Sequence, residues 1–371
     1  MKIAVLKETA IAETRVAATP ETVKKLMALG FDVVVESGAG AAVSIDDAAY
    51  QAAGAAIGNA SDADVVIAVR APAADKIKTF KKGASVIALF APHQNKDILA
   101  AAAAQGLSTY SLELVPRITR AQNMDVLSSQ ANLAGYRAVL EAATTFGRAF
   151  PLMMTAAGTI PPAKVFIMGA GVAGLQAIAT ARRLGAQVFA TDVRPAAREQ
   201  VESLGATFVM VDSEETKAAE TAGGYAKEMS EDYKRQQAAL IAETIKKQDI
   251  VITTALIPGR PAPQLVTAEM VESMKPGSVI VDLAVEAGGN CALSKAGEVV
   301  VHNGVSIVGH HNMPGRIGVD ASALYARNVV NFITPLVDKE TKTFAPKAED
   351  EIIAATCLTR DGAVVHPNFK G

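Results

Sequence analysis

Residues 164–192 read KVFIMGAGVAGLQAIATARRLGAQVFATD, and their order decides the fold. The apolar run Val165–Met168 predicts a strand. Gly169-Ala170-Gly171-Val172-Ala173-Gly174 follows, then a helical pattern with Leu175, Ile178 and Ala179 on one face, ended by Gly185. A second apolar run starts at Val188 and closes on Asp192. Strand, glycine turn, helix, strand and acid is the full context of a dinucleotide-binding unit, far more specific than the glycine spacing alone. Gly169 suits the tight turn, Gly171 lets a pyrophosphate reach the backbone, and Gly174 lets helix and strand pack closely. The helix N-terminus offers unpaired N–H groups and positive dipole. Asp192 stands about 20 residues past the glycines, where a carboxylate meets the adenosine ribose. The alternative is a turn that only packs helix on strand.

Working outward, six strands are expected in this half, at 165–168, 187–191, 207–211, 249–254, 278–283 and 305–308. Strands also read from the first third, at Lys2–Leu6, Val33–Val35, Val65–Val69, Val86–Phe90 and Thr109–Leu112. Thr19-Pro20-Glu21 starts a helix, with proline at its first position. Gly38-Ala39-Gly40 lacks a third glycine and reads as an ordinary loop. The expectation is an α/β chain with two Rossmann-like domains of parallel sheets, linked by long helices around a central cleft. Residues 1–128 with 337–371 would form the first domain, and 129–336 the nucleotide-binding domain. The linking helices would be Ser129–Phe146 and Ser322–Leu336. A polar insertion, 213–237, is either a solvated loop or a lid hinged at Gly223-Gly224 with Tyr225 and Met229 as apolar anchors.

Composition sets outer limits. The chain has 371 residues, enough for two domains, with 36 basic and 38 acidic side chains. The near-neutral charge leaves no footprint for nucleic acid or anionic membrane. No apolar run approaches the roughly 20 residues a bilayer span needs. Cys291 and Cys357 are the two cysteines, so a reducing compartment fits and a structural disulfide does not. The five histidines have no ligand spacing, and no metal is expected.

Several unrelated segments then match one family together. PRITRAQNMDVLSSQANLAGYRAV (116–139), the glycine turn and its helix, AETAGGYAKEMS, TTALIPGRPAP and MKPGSVIVDLAVEAGGN closely resemble the NAD(H)-binding component of proton-translocating nicotinamide nucleotide transhydrogenase. The start, KETAIAETRVAATP, with AVRAP and NMPG, also resembles alanine dehydrogenase, which shares the fold. The resemblance spans essentially the whole chain. It implies that this component binds NADH and passes hydride to NADP⁺ on an NADP(H)-binding component. A transmembrane proton-channel component would couple the transfer to proton movement. It also implies a homodimer, peripheral on the cytoplasmic face of the inner membrane and not inserted in it.

The same match assigns site residues. Arg117, Gln122, Asp125 and Ser128 would face the nicotinamide: Arg117 and Ser128 on the carboxamide, Asp125 orienting Arg117, Gln122 toward the partner's nucleotide. From the sequence alone, Asp125 and Ser128 serve equally well as caps of the following helix. NAD would be held by Gly169, Gly171, Val172, Ala173 and Gly174, by Asp192, Val193 and Arg194, by Thr254, Ala255 and Leu256, and by Tyr225. Asp192 favours NAD over NADP, and Arg194 beside it either clouds that preference or stacks on adenine. Asp282 and Glu286 would sit near the C-terminal edge of a strand, and the run Glu286–Asn290 would line the site or shape a turn. Arg15 and Arg70 fall where alanine dehydrogenases grip their substrate, but that family has lysine at the second position. Its catalytic histidine would fall near Phe90-Ala91-Pro92, where none stands. Arg15 is therefore expected to be a structural ion-pair residue. Two rivals remain: a self-contained amino-acid dehydrogenase, and a nucleotide-sensing module without chemistry.

Overall fold

The computed structural model describes residues 1–211, 230–257 and 259–370. The chain divides into two units, Met1–Gln130 with Pro314–Gly371, and Ala131–Met313. The first boundary falls inside the helix Val126–Thr145.

In the second unit the sheet runs Thr207–Phe208, Gln187–Thr191, Lys164–Met168, Ile250–Thr253, Val279–Asp282, Val305–Val308 and Val299–His302. All neighbours are parallel except the last pair. The central strand, Lys164–Met168, sets Ile167 against Ala190 on one side and Ile252 on the other. Its inner residues are wholly buried, as continuous apolar runs are in a sheet covered on both faces. The edge strand Val299–His302 escaped the sequence reading. It alternates exposed and half-buried residues and joins its neighbour by the tight turn at Asn303-Gly304, so it lacks the buried apolar run used to find the others.

The first unit repeats the order. Its sheet runs Ala56–Ile57, Asp32–Val35, Lys2–Val5, Val65–Arg70, Ser85–Leu89 and Ser108–Ser111, then two antiparallel strands, Cys357–Arg360 and Ala363–Val364. The C-terminal segment thus completes this sheet. Thr19 opens the helix Pro20–Ala28 and donates its N–H to Thr22 Oγ1.

One domain expectation is corrected. The helix Gly318–Ile333, placed with the nucleotide-binding domain, belongs to the first unit. Its Tyr325, Val329, Phe332 and Ile333 are fully buried in the core with Ile3, Val5 and Val33. Burying each such side chain is worth about 1.5–3 kcal/mol, which fixes the helix there. Both cysteines are free and buried. Among the described residues no helix is long and apolar enough to cross a membrane.

Candidate functional site

Three adjacent strand ends meet at the glycine turn. Gly169 takes φ +108°, open to glycine, and its N–H donates to the Thr191 carbonyl at 2.8 Å. Thr254 donates its N–H to Met168 and its hydroxyl to the Gly169 carbonyl, at 2.9 and 3.1 Å. A Cβ on Gly174 would lie 1.8 Å from the Gly169 oxygen, so only glycine lets the helix Val172–Arg183 start this close to the strand. A Cβ on Gly171 would meet nothing within 4 Å. The backbone there faces open space, and among the described residues no side chain caps the helix. Its first N–H groups therefore stand available to a ligand. Val172, Val193 and Leu256 are 41%, 78% and 58% exposed, an apolar rim on the three strand ends. Ala173 is half-buried. This cradle fits a dinucleotide pyrophosphate.

Asp192 directly follows the strand Gln187–Thr191. Its Oδ2 accepts the Ala170 N–H at 2.7 Å, and its Oδ1 accepts the Arg194 N–H at 2.8 Å. Arg194 also donates Nε and Nη2 to it, at 2.9 and 3.0 Å. Burial pushes the Asp192 carboxyl up, but the Arg194 side chain and these N–H donors outweigh it and hold the carboxyl below its ordinary value. Arg194, expected either to cloud the NAD preference or to stack on adenine, is hydrogen-bonded to Asp192.

Asp282 resolves the neighbouring ambiguity. Wholly buried, it accepts from Thr253 Oγ1, from the Ala284, Asn290 and Cys291 N–H groups, and from Ser294 Oγ. Asn290 in turn donates to the Ala255 carbonyl and accepts the Ala255 N–H, at 2.9 and 3.0 Å. Asp282 and Asn290 shape the loop that fixes Ala255. Glu286 accepts the Asn312 N–H. Gly135 was missed by sequence. A Cβ there would lie 2.0 Å from the Ala173 carbonyl, so it brings the helix Val126–Thr145 against the glycine turn. An isolated glycine inside a helical pattern was the available signal.

The second candidate set lies in the first unit. Arg117 and Gln122 are exposed, and neither side chain has a hydrogen bond or ion pair among the described residues. Asp125 does not orient Arg117. Its carboxylate accepts the Ser128 N–H and hydroxyl, at 2.8 and 2.6 Å, and caps the helix Val126–Thr145. Arg15, 3% exposed, donates twice to Glu13 and once to Gln130 at 2.9 Å. Arg70 also reaches Glu13, at 3.1 Å. Tyr225, Met229 and Gly223-Gly224 lie outside the described residues.

Residues 4–134 match the N-terminal domain of the alanine dehydrogenase/PNT family, and residues 138–367 match its C-terminal domain.

The chain belongs to the alanine dehydrogenase/PNT family.

Within this family it is similar to an NAD(P) transhydrogenase subunit alpha chain of Rhodospirillum rubrum, at 57% identity over 100% of this chain and 99% of that one. It is 46% identical to NAD(P) transhydrogenase subunit alpha of Cereibacter sphaeroides, over 99% of this chain and 71% of the relative. A transhydrogenase structure from Sinorhizobium meliloti superposes with TM-score 0.87 at 55% identity, covering 100% of both chains. An L-alanine dehydrogenase structure superposes at 0.83, with 25% identity over 100% and 98%. The expected two-sheet Rossmann-like fold is thus that of the alanine dehydrogenase/PNT family. Family and glycine turn together identify the cofactor as NAD.

Proposed function

We propose that this chain is the NAD(H)-binding catalytic component of a proton-translocating, Re/Si-specific transhydrogenase. The observation that carries this reading is 57% identity over the full chain to a transhydrogenase subunit alpha chain of nearly the same extent. Bound NADH supplies a hydride, so NADH and NADP⁺ become NAD⁺ and NADPH. Every other task is positioning, because neither ring carbon exchanges a proton and no general base is needed there. The N–H groups at the start of the helix Val172–Arg183 hold the pyrophosphate, with Gly169, Gly171 and Gly174 shaping their approach. Asp192 accepts from the ribose, and Val193, Thr254, Ala255 and Leu256 flank it. Arg117, exposed and without a side-chain partner among the described residues, suits the carboxamide. Asp125 and Ser128 fix the start of the helix that follows. Gln122, neutral and exposed, suits contact with the partner's nucleotide.

The partners on this reading are an NADP(H)-binding component, a transmembrane proton-channel component and a second copy of this chain, at the cytoplasmic face of the membrane. A self-contained alanine dehydrogenase is disfavoured by the absence of histidine at 90–92 and by Glu13, which already holds Arg15 and Arg70. General acid–base help is worth about 10²–10⁴-fold, so alanine-dependent NADH formation should be negligible. The decisive experiment mixes the chain with an NADP(H)-binding component and follows single-turnover hydride transfer. Gln122→Asn should slow transfer about 10²-fold, as a shift of about 1 Å does, while NADH affinity is unchanged. No transfer by the wild type, or an unchanged rate in the variant, counts against the reading or against Gln122 respectively.

A further inference from the structure

The ribose carboxylate is already full. A carboxylate has about four lone-pair positions. On Asp192 the Ala170 N–H, the Arg194 N–H, Arg194 Nε and Arg194 Nη2 supply four donors. Two hydroxyls of a ribose would find no vacant acceptor. The two backbone donors are fixed by the turn. The Arg194 guanidinium is not fixed: its side chain is 45% exposed, and among the described residues its one further hydrogen bond is a long one, 3.4 Å, to the Ala170 carbonyl. Only the guanidinium can leave.

We propose that Arg194 is a displaceable latch on Asp192, so that the Asp192–Arg194 pair, and not Asp192 alone, sets the preference for NAD over NADP. The proposal rests on the NAD-binding reading above and deepens it. In this arrangement the guanidinium occupies the acceptor positions that ribose hydroxyls need. An incoming ribose exchanges its two hydroxyls for two guanidinium N–H groups. The same pair bears on a 2′-phosphate. The carboxylate repels it, and the arginine that could accept it is held by that carboxylate, since an arginine near this strand end is the usual 2′-phosphate partner. The donors on Asp192 keep it ionised at neutral pH, and the latch therefore stays closed until a ligand competes for it.

The test is calorimetric titration of the full chain with NADH and with NADPH, in four forms: wild type, Arg194→Ala, Asp192→Asn and the double variant. Asp192→Asn can keep an oxygen for the Ala170 N–H, while it removes the charge and replaces the other oxygen, which accepts from Arg194, with an NH2 donor. Breaking a half-exposed ion pair is a small effect, so Arg194→Ala should tighten NADH binding about threefold to fivefold. Asp192→Asn should tighten NADPH binding about tenfold or more, because the freed guanidinium then meets the phosphate. The double variant should lose that gain. Weaker NADH binding in Arg194→Ala would make Arg194 a direct cofactor contact and overturn the latch. A gain in NADPH affinity that survives in the double variant would overturn it as well. A wild type that binds no NADH overturns the functional reading and the latch with it. A wild type that binds NADH without the four-way pattern overturns the latch alone.

Discussion

The two units have the same parallel strand order and differ at the place where that order reverses. In such sheets ligands bind in the crevice outside the carboxyl ends of the strands, at this switch point. In the second unit it lies between Lys164–Met168 and Ile250–Thr253, and the backbone at Gly171 faces open space. In the first unit it lies between Lys2–Val5 and Val65–Arg70, and the chain fills it with its own carboxylates. Glu8 accepts the Val69 and Arg70 N–H groups, at 2.6 and 3.2 Å. Glu13 takes Arg15 and Arg70. Glu36 takes the Lys7 N–H. The first unit's Gly40 is closed too, since a Cβ there would meet Ile45 and Tyr50 atoms at 2.7–2.9 Å. Topology offers a site twice, and side chains decide which one stays open.

The strongest way to break this contrast is to spoil the open turn. Gly174→Ala sets a methyl 1.8 Å from a backbone oxygen that no side-chain rotation can move aside. It should destabilise the second unit by about 3 kcal/mol or more in urea unfolding, and abolish NADH binding. A fully stable variant would mean that the turn is not held as described.

The closed site is tested through Glu8. Burial pushes its carboxyl from the ordinary 4.5 up to about 7, against the pull of the Val69 and Arg70 N–H groups. The native state therefore holds this proton more tightly than the unfolded state. The group's stabilising contribution falls as pH rises from about 4.5 to about 7, by up to about 3 kcal/mol in all. Glu8→Gln keeps an oxygen for the Val69 N–H and removes the slope. It should match the wild type near pH 4 and exceed its stability above pH 7. Parallel pH–stability curves for the two forms would refute this. Asp192 in the open site has the opposite sign: its carboxyl lies below its ordinary value, so its contribution is lost only in acid.

The mildest change sharpens the contrast without harming the fold. Gly171→Ala adds a methyl to open space at φ −77°, which alanine adopts freely. Stability should hold within about 1 kcal/mol. NADH affinity should drop about 10–200-fold, as expected when one methyl group intrudes on a fitted ligand. Unchanged affinity would show that the pyrophosphate does not approach this backbone.

Much of this was legible in the residues themselves. The apolar runs placed eleven parallel strands to within a few residues, because burial on both faces demands such runs. The glycine turn was legible because its main demands are local: Gly174 answers to Gly169 in the same strand–turn–helix segment, and Gly169 to its own positive φ. The short edge strands Ala56–Ile57, Val299–His302 and Ala363–Val364 were not, since two to four residues beside solvent carry little pattern. The unit of the helix Gly318–Ile333 was decided only by packing, because an apolar face names no partner. The same holds for charge. Sequence shows Asp125 near Arg117 and Asp192 near Arg194, yet only the folded backbone gives Asp125 to Ser128 and all four acceptor positions of Asp192 to Ala170 and Arg194. Local sterics and burial pattern are written residue by residue along the chain. The pairing of long, flexible polar side chains depends on angles and distances that exist only once the strands and helices are in place.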